Sequence, residues 1–127
     1  MTGFVGNIEE QTLANNNFRQ VIFTGAHSQL VLMSLLPGEE IGMEVHSNVD
    51  QFFRVEEGEG EIVMEGEKQT IRDGSAIVVP AGTNHNVINT SQTEKLKLYT
   101  IYSPANHPDG KIHQTKAEAM ADEEDHV

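Results

Sequence analysis

Four polar residues of the sequence have the types and the spacing of a metal site: Glu44, His46, Gln51 and His85. Glu44 and His46 are two positions apart, so on a β-strand both side chains project from the same face. His85 follows the turn signal Pro80-Ala81-Gly82 and is placed to begin a second strand. Two imidazoles and one carboxylate are the usual ligand set for Fe(II), Mn(II), Ni(II) or Zn(II). The spacing therefore predicts one divalent metal ion, to which Gln51 can add a neutral oxygen.

Each of these residues has an ordinary explanation when it is considered alone. A single His46 or His85 is more often a hydrogen-bonded histidine than a ligand. Glu44 alone suggests a surface carboxylate, and Gln51 alone a polar strand residue. The competing hypothesis is a polar cluster that is held together by hydrogen bonds and contains no metal.

The elements that would position these residues are short β-strands separated by turns. Glycine, proline and asparagine recur at close intervals along the whole chain. The β-prone runs between them lie at residues 20–24, 29–36, 51–55, 60–64, 69–71, 76–79, 86–88 and 96–102. Many short strands with frequent turns indicate an all-β sandwich or barrel, and closure into a barrel buries the apolar faces.

Alternating residues predict which faces of two strands point inward. Lys95 and Lys97 mark an outer face, which places Leu96, Leu98, Thr100 and Tyr102 inside. On an earlier strand, Phe52 and Arg54 oppose Gln51, Phe53 and Val55.

The composition limits the classes of function. The 127 residues suit one domain, and the absence of cysteine excludes disulfides, iron–sulfur clusters and thiol catalysis. A formal net charge of −12 disfavours nucleic-acid binding, because such a surface repels phosphates. No run approaches the ~20 apolar residues of a membrane helix, and no signal-peptide pattern is present, so we expect a soluble, cytoplasmic protein.

Two segments resemble the paired signature motifs of the cupin superfamily. The first motif is Gly, five residues, His-x-His, three or four residues, Glu, six residues, Gly; here its frame is Gly38, Glu44-Val45-His46, Gln51 and Gly58. The second motif is Gly, five residues, Pro-x-Gly, two residues, His, three residues, Asn. The sequence matches it in full at Gly74, Pro80, Gly82, His85 and Asn89.

The resemblance implies a double-stranded β-helix, a jelly-roll-like barrel, with a metal between the two motif strands and commonly a homodimer. Glu44 stands where the family usually has its first His, and Gln51 where it usually has Glu. The set still holds two histidines and one carboxylate, with an amide added. We therefore predict metal binding by Glu44, His46, Gln51 and His85, of an ion (Mn, Fe, Ni or Zn) that the sequence does not identify.

The C-terminal part differs from the rest of the chain. We place the barrel at about 18–104 and an extension at 105–127 of a single domain. Residues 102–113 resemble the extension of small cupins that are labelled mannose-6-phosphate isomerase-like. The capping-box pattern Thr115-Lys116-Ala117-Glu118 predicts a short helix through Ala121, followed by a solvated acidic terminus, 122–125. We expect His107 and His113 on the surface, although they could close over the barrel mouth, and His27 and His126 in structural or solvated positions.

The leading functional hypothesis is a metal-dependent enzyme for a small oxygenated compound such as a sugar, keto acid or enediol. Glu44 would be a ligand or a base, and Tyr102 would offer a hydroxyl in the pocket. Met33, Phe53 and Val87 could line that pocket or simply form the core. The alternatives are a metal-dependent dioxygenase, a barrel that binds a small molecule without turning it over, and a structural dimer module that uses Phe52 and Arg54.

Overall fold

Nine strands and two short helices make up the part of the chain that the computed structural model describes, residues 2–122 and 125. In chain order they are α1 (Ile8–Ala14), β1 (Arg19–Thr24), β2 (Gln29–Leu35), β3 (Asp50–Glu57), β4 (Glu59–Met64), β5 (Glu67–Arg72), β6 (Ala76–Val79), β7 (His85–Asn89), β8 (Leu96–Ser103), β9 (Ile112–His113) and α2 (Lys116–Ala121). None of the described helices is both long enough and apolar enough to cross a membrane.

The strands form two antiparallel sheets that face each other across one apolar core. The six-stranded sheet has the order β6-β3-β8-β2-β1-β9, and the three-stranded sheet has the order β5-β4-β7. Buried side chains of both sheets meet between them, among them Met33, Phe53, Val55, Ile62, Val87 and Leu98. The predicted all-β, jelly-roll-like fold is therefore confirmed.

The eight predicted strands correspond to β1 through β8, with ends that differ by a few residues. Two elements were not predicted. The helix α1 begins after Asn7, whose side chain accepts a hydrogen bond from the amide of Glu10 at 3.0 Å. The two-residue strand β9 pairs with Arg19 and Gln20 of β1. Both elements are too short for a periodic pattern to reveal them.

The predicted alternation along β8 is correct. Leu96, Leu98, Thr100 and Tyr102 are all buried on the inner side. Lys97 is on the outer side but is also buried, because its ammonium donates hydrogen bonds to the carbonyl oxygens of Leu13 and Asn15 at 2.9 and 2.6 Å. The end of α1 thus covers this part of the outer face.

The predicted C-terminal helix is present, but the prediction of a solvated acidic terminus is wrong for two of its residues. Thr115 caps α2 by accepting a hydrogen bond from the Glu118 amide at 3.1 Å. Asp122 is half-buried and Asp125 is buried, because both fold back onto histidines of the extension. Glu123, Glu124 and His126 are outside the described residues.

Gly58, which joins β3 to β4, has a backbone φ of +100° and little space around it. A Cβ there would lie 2.5 Å from the Lys95 carbonyl oxygen. We predict that Gly58→Ala destabilises the fold by about 2–5 kcal/mol, from the left-handed backbone and from overpacking together. Gly66→Ala is the matched control, since Gly66 has φ +83° but no atom within 4 Å of its Cβ position. Gly66→Ala should lower the free energy of unfolding, measured with urea, by only about 1–2 kcal/mol. Equal losses in the two variants would contradict the close approach at Gly58.

Candidate metal centre

The four predicted ligands come from three parts of the fold. His85 begins β7 as predicted, and Gln51 is the second residue of β3. Glu44 and His46 are in the irregular segment between β2 and β3, so the prediction that they share a strand is wrong. Glu44 forms only an isolated bridge with His85, through backbone hydrogen bonds of 2.8 and 2.9 Å. This bridge, and not strand alternation, brings Glu44 to β7.

The side chains of Glu44, His46 and His85 converge inside the barrel. Each offers a ligand atom, and these three atoms lie within 4.8 Å of one another. The Oε1 atom of Glu44 is 3.8 Å from Nε2 of His46. Gln51 joins the group, because its Oε1 is 3.1 Å from Nε2 of His85. The residues that the spacing singled out therefore form one cluster.

Burial keeps the two imidazoles neutral. Burial, together with the neighbouring His85 and the charge of Arg19, lowers the pKa of His46 to about 4. Burial also lowers the pKa of His85, partly offset by the hydrogen bond to the Thr83 carbonyl. Burial raises the pKa of Glu44, although the positive charge of Arg19 opposes that shift. A neutral imidazole has a lone pair, which is the form that binds a metal ion.

The hydrogen bonds of the cluster leave lone pairs without donors. The Nδ1 atom of His85 is 3.0 Å from the Thr83 carbonyl oxygen, so Nδ1 carries the proton and Nε2 carries the lone pair. That lone pair faces Oε1 of Gln51, whose amide nitrogen donates to Thr100 at 3.0 Å. His46 Nε2 is buried and has no hydrogen-bond partner. A rotated Gln51 amide would satisfy His85 but not His46, whereas a cation would satisfy both, so the residues fit a metal ion.

Tyr102 connects this cluster to the C-terminal extension. Its side chain points inward as predicted, and its ring meets the His46 ring edge-on, with 5.9 Å between centroids. Its hydroxyl is 3.1 Å from Nε2 of His107. Burial raises the pKa of Tyr102, so the phenol keeps its proton and donates a hydrogen bond to His107, while its oxygen accepts one from Arg19.

The prediction that His107 and His113 lie on the surface is wrong, because both are buried. Nδ1 of His107 is 2.7 Å from Oδ1 of Asp125, and Nε2 of His113 is 2.9 Å from Oδ2 of Asp122. Asp122 also pairs with Lys111 at 2.8 Å. His27, in contrast, is exposed.

These contacts hold the C-terminal extension over the barrel mouth. The side chain of Gln29 accepts hydrogen bonds from the backbone amides of Asn106 and His107 and donates one to the His107 carbonyl. A second group of possible ligands, His113, Asp122 and Asp125, is also close together. Asp122 already pairs with Lys111 and His113, and Oδ1 of Asp125 pairs with His107, while Oδ2 of Asp125 is buried without a hydrogen-bond partner. We call these pairs between the extension's histidines and aspartates the clamp. The signal in the sequence was the complementary pair of two histidines followed by two aspartates.

Comparisons with known proteins decide the family. Residues 31–102 match the family model described as the Cupin domain. The protein YrkC of Bacillus subtilis is 54% identical over 127 residues, with 95% of this chain and 68% of that protein covered. The chain belongs to the cupin family.

Two further relatives of this cupin are informative. The crystal structure of BH2720 from Bacillus halodurans superposes with a TM-score of 0.91 at 49% identity, covering 94% of both chains. Quercetin 2,3-dioxygenase of Bacillus subtilis is 29% identical over 84 residues, which cover 66% of this cupin and 25% of that enzyme. The resemblance seen in the two motifs is therefore confirmed, and the family includes enzymes.

The lowered pKa of His107 predicts a loss of stability in acid. Burial, with the charge of Arg19, lowers this pKa to about 4 in the fold against 6.5 for an unperturbed histidine. At a pH between these two pKa values, His107 is protonated in the unfolded chain but neutral in the folded cupin. The free energy of unfolding therefore decreases as the pH falls. The His107 contribution is about 1 kcal/mol per pH unit.

Urea unfolding of chelator-treated protein between about pH 6.5 and pH 5 measures this dependence. We expect a smaller slope in His107→Gln than in the wild type, and an unchanged slope in the control His27→Gln, because His27 is exposed. An unchanged slope in His107→Gln would show that His107 accepts its proton as readily in the fold as in the unfolded chain.

Proposed function

We propose that this cupin binds one divalent transition-metal ion through Glu44, His46 and His85, with Gln51 as a further oxygen ligand. The observation that carries the proposal is the buried Nε2 of His46, which has no hydrogen-bond partner in a cluster of further acceptor atoms. Mn, Fe, Ni and Zn all suit two imidazoles and a carboxylate. The Gln51 amide adds no charge, so the ligands together bring a single negative charge.

We propose that the site acts on a small oxygenated compound, of the class of sugars, keto acids or enediols. A metal bound there would act as a Lewis acid that stabilises negative charge on a substrate oxygen. The protein groups would orient the substrate and exclude water. Met33, Phe53 and Val87 are buried in the apolar core, and the Phe53 ring lies 6.3 Å from the His85 ring. In such surroundings each charge interacts more strongly than it would in water.

Glu44 and Tyr102 are the groups proposed for proton handling. Glu44 has a raised pKa, which brings a carboxyl group closer to the pKa of an effective base near neutral pH. It can therefore serve as a ligand or leave that position and take a proton. The Tyr102 hydroxyl donates to His107 and accepts from Arg19, so its oxygen keeps one lone pair that can accept a hydrogen bond from a bound molecule. His107, fixed by Asp125, orients that hydroxyl.

Two other functions share the same ligands. A dioxygenase is favoured by the likeness to quercetin 2,3-dioxygenase of Bacillus subtilis, although the chain covers only a quarter of that enzyme. A barrel that binds a small molecule without catalysis would use the same cluster. The mannose-6-phosphate isomerase-like label concerns the extension and remains a prediction.

The assembly and the location of this cupin also remain predictions. A homodimer could form through the outer face of β3, where Phe52 and Arg54 are half-buried and the Phe52 ring lies 6.2 Å from the Tyr99 ring. A cytoplasmic location and the absence of nucleic-acid and membrane partners are expected from the composition alone.

Metal binding is tested with untagged protein that is purified without chelators. We expect close to one equivalent of a single transition metal, and a rise in melting temperature when that metal is added back to chelated protein. A metal ion whose free concentration is ~100 times its Kd stabilises the fold by about 2.7 kcal/mol. His46→Ala and His85→Ala should lose both effects, whereas His27→Ala should keep both because His27 is exposed.

The same experiment can reject the proposal. Wild-type protein that binds none of Mn(II), Fe(II), Ni(II) and Zn(II) would leave a cluster held by hydrogen bonds alone. Equal binding by His46→Ala and the wild type would place the ion elsewhere in the molecule.

A further inference from the structure

We propose that the cavity beside Glu44 is a carboxylate-binding subsite, in which Arg19 and Lys116 recognise the carboxylate of a small organic acid. The acid would direct its second oxygen toward the metal centre. This inference deepens the proposed function. It rests on that function only for the contact between the acid's hydroxyl or keto oxygen and the metal. The carboxylate subsite itself is built from the protein's own cations.

Arg19, the first residue of β1, is a buried cation without a carboxylate partner. Its exposed fraction is 5%, and its Nε atom has no hydrogen-bond partner. Among residues 2–122 and 125, the ion pairs within 4.0 Å do not include Arg19. One terminal nitrogen is 3.4 Å from Nδ1 of His113, a long contact, and the guanidinium lies over the Phe18 ring at 5.2 Å. The Arg19 side chain also donates a hydrogen bond to the Tyr102 hydroxyl, so Arg19 has polar partners but, among the described residues, no carboxylate within 4.0 Å.

A buried guanidinium that lacks a counter-ion is strongly unfavourable, so its presence needs an explanation. Two carboxylates line the same cavity, and neither pairs with Arg19 within 4.0 Å. Oδ1 of Asp125 accepts a hydrogen bond from His107 at 2.7 Å, whereas its Oδ2 is buried without a partner, and Glu44 belongs to the ligand cluster. Arg19 acts on both only through space, as its effect on the pKa of Glu44 shows. The unpartnered Nε of Arg19 is therefore a donor that a further carboxylate could satisfy, and arginine binds carboxylates through two parallel hydrogen bonds.

A small cavity lies where such a carboxylate would bind. It encloses about 50 Å³ and is lined by Arg19, Lys116, Glu44, His107 and Asp125, with apolar side chains from α2 and the barrel rim. A single water needs about 10–15 Å³ of such space, so the cavity admits a group of a few atoms such as a carboxylate. The size selects the smallest members of the proposed substrate class, such as hydroxy and keto acids of two or three carbons.

The cavity is lined by positively charged side chains on one side and by negatively charged side chains on the other. Arg19 and Lys116 supply the positive side, and neither forms an ion pair within 4.0 Å with a described residue. Glu44 and Asp125 supply the negative side, and Glu44 is shared with the metal ligands. An acid with its carboxylate at the cations has its neighbouring hydroxyl or keto oxygen on the side of Glu44. A neutral molecule of the same shape would leave Arg19 unpaired.

The C-terminal extension completes the subsite, because Lys116 is the first residue of α2. Asp122 and Asp125 follow α2 and pair with His113 and His107. The clamp therefore fixes the position of the second cation relative to the barrel. This arrangement gives the buried histidines of the extension a role in binding in addition to their role in stability.

Glycolate and its neutral counterpart glycolamide are suitable probes, because they differ in charge and hardly in size. Calorimetric titration is done on the metal-loaded and on the chelated protein. We expect glycolate to bind and glycolamide to bind at least about tenfold more weakly. Arg19→Gln should weaken glycolate binding about ten- to a hundredfold, and Lys116→Gln several-fold. Lys68→Gln removes the same charge from an exposed position on β5 and should change nothing.

The outcomes separate this proposal from the metal proposal. Glycolate binding that depends on Arg19 or Lys116 in chelated protein supports the subsite even if no metal binds. Equal binding of glycolate and glycolamide would overturn it. It would also be overturned if glycolate bound only to metal-loaded protein and equally well to Lys116→Gln. Because Lys116 is half-buried at a helix start, that variant tests the subsite even if Arg19→Gln does not fold.

Discussion

The backbone pairing between Glu44 and His85 brings the candidate metal ligands of this cupin together. The segment that follows β2 is irregular, yet it runs along β7 through a series of hydrogen bonds. The Ile41 amide donates to the Val87 carbonyl at 2.9 Å, and Glu44 and His85 exchange two bonds. At its other end Asn89 donates to the carbonyl oxygens of Leu35, Leu36 and Glu94. The two motifs are thus tied together by main-chain contacts, and the ligand side chains meet as a consequence.

Burial then gives these side chains their properties. Removal from water favours the neutral form of both histidines and raises the pKa of Glu44. The protein as a whole has a formal net charge of −12, which repels anions at long range. Arg19 and Lys116 place two positive charges in the cavity that Glu44 and Asp125 also line. In the proposed subsite, a small anion would bind at these two cations, beside the C-terminal extension.

The part of the structure that could be predicted from the sequence is the part fixed by local rules. Turn residues delimited β1 through β8, and alternation placed Tyr102 and Gln51 inside. The ligand cluster followed from motif spacing, even though Glu44 and His46 do not share a strand. The backbone of Glu44 pairs with His85 at the start of β7. This pairing directs the side chains of Glu44 and His46 to the same place, as alternation along a strand would have done.

The contacts of the C-terminal extension were beyond such rules. His107 and His113 are buried because Asp125 and Asp122 fold back onto them, across gaps of 18 and 9 residues without a periodic pattern. The capping box predicted α2 but not the surface on which it packs. The burial of Arg19 could not be predicted from the sequence either, because it depends on Phe18, on the barrel and on the extension together.

The central claim, that Glu44, His46 and His85 hold one ion, is tested most directly by crystals grown with Mn(II) and measured for anomalous scattering. We predict one strong anomalous peak in contact with Glu44, His46 and His85, with the Gln51 oxygen turned toward it. A peak only at His113, Asp122 and Asp125, or no peak in protein that carries one equivalent of metal in solution, would contradict the account.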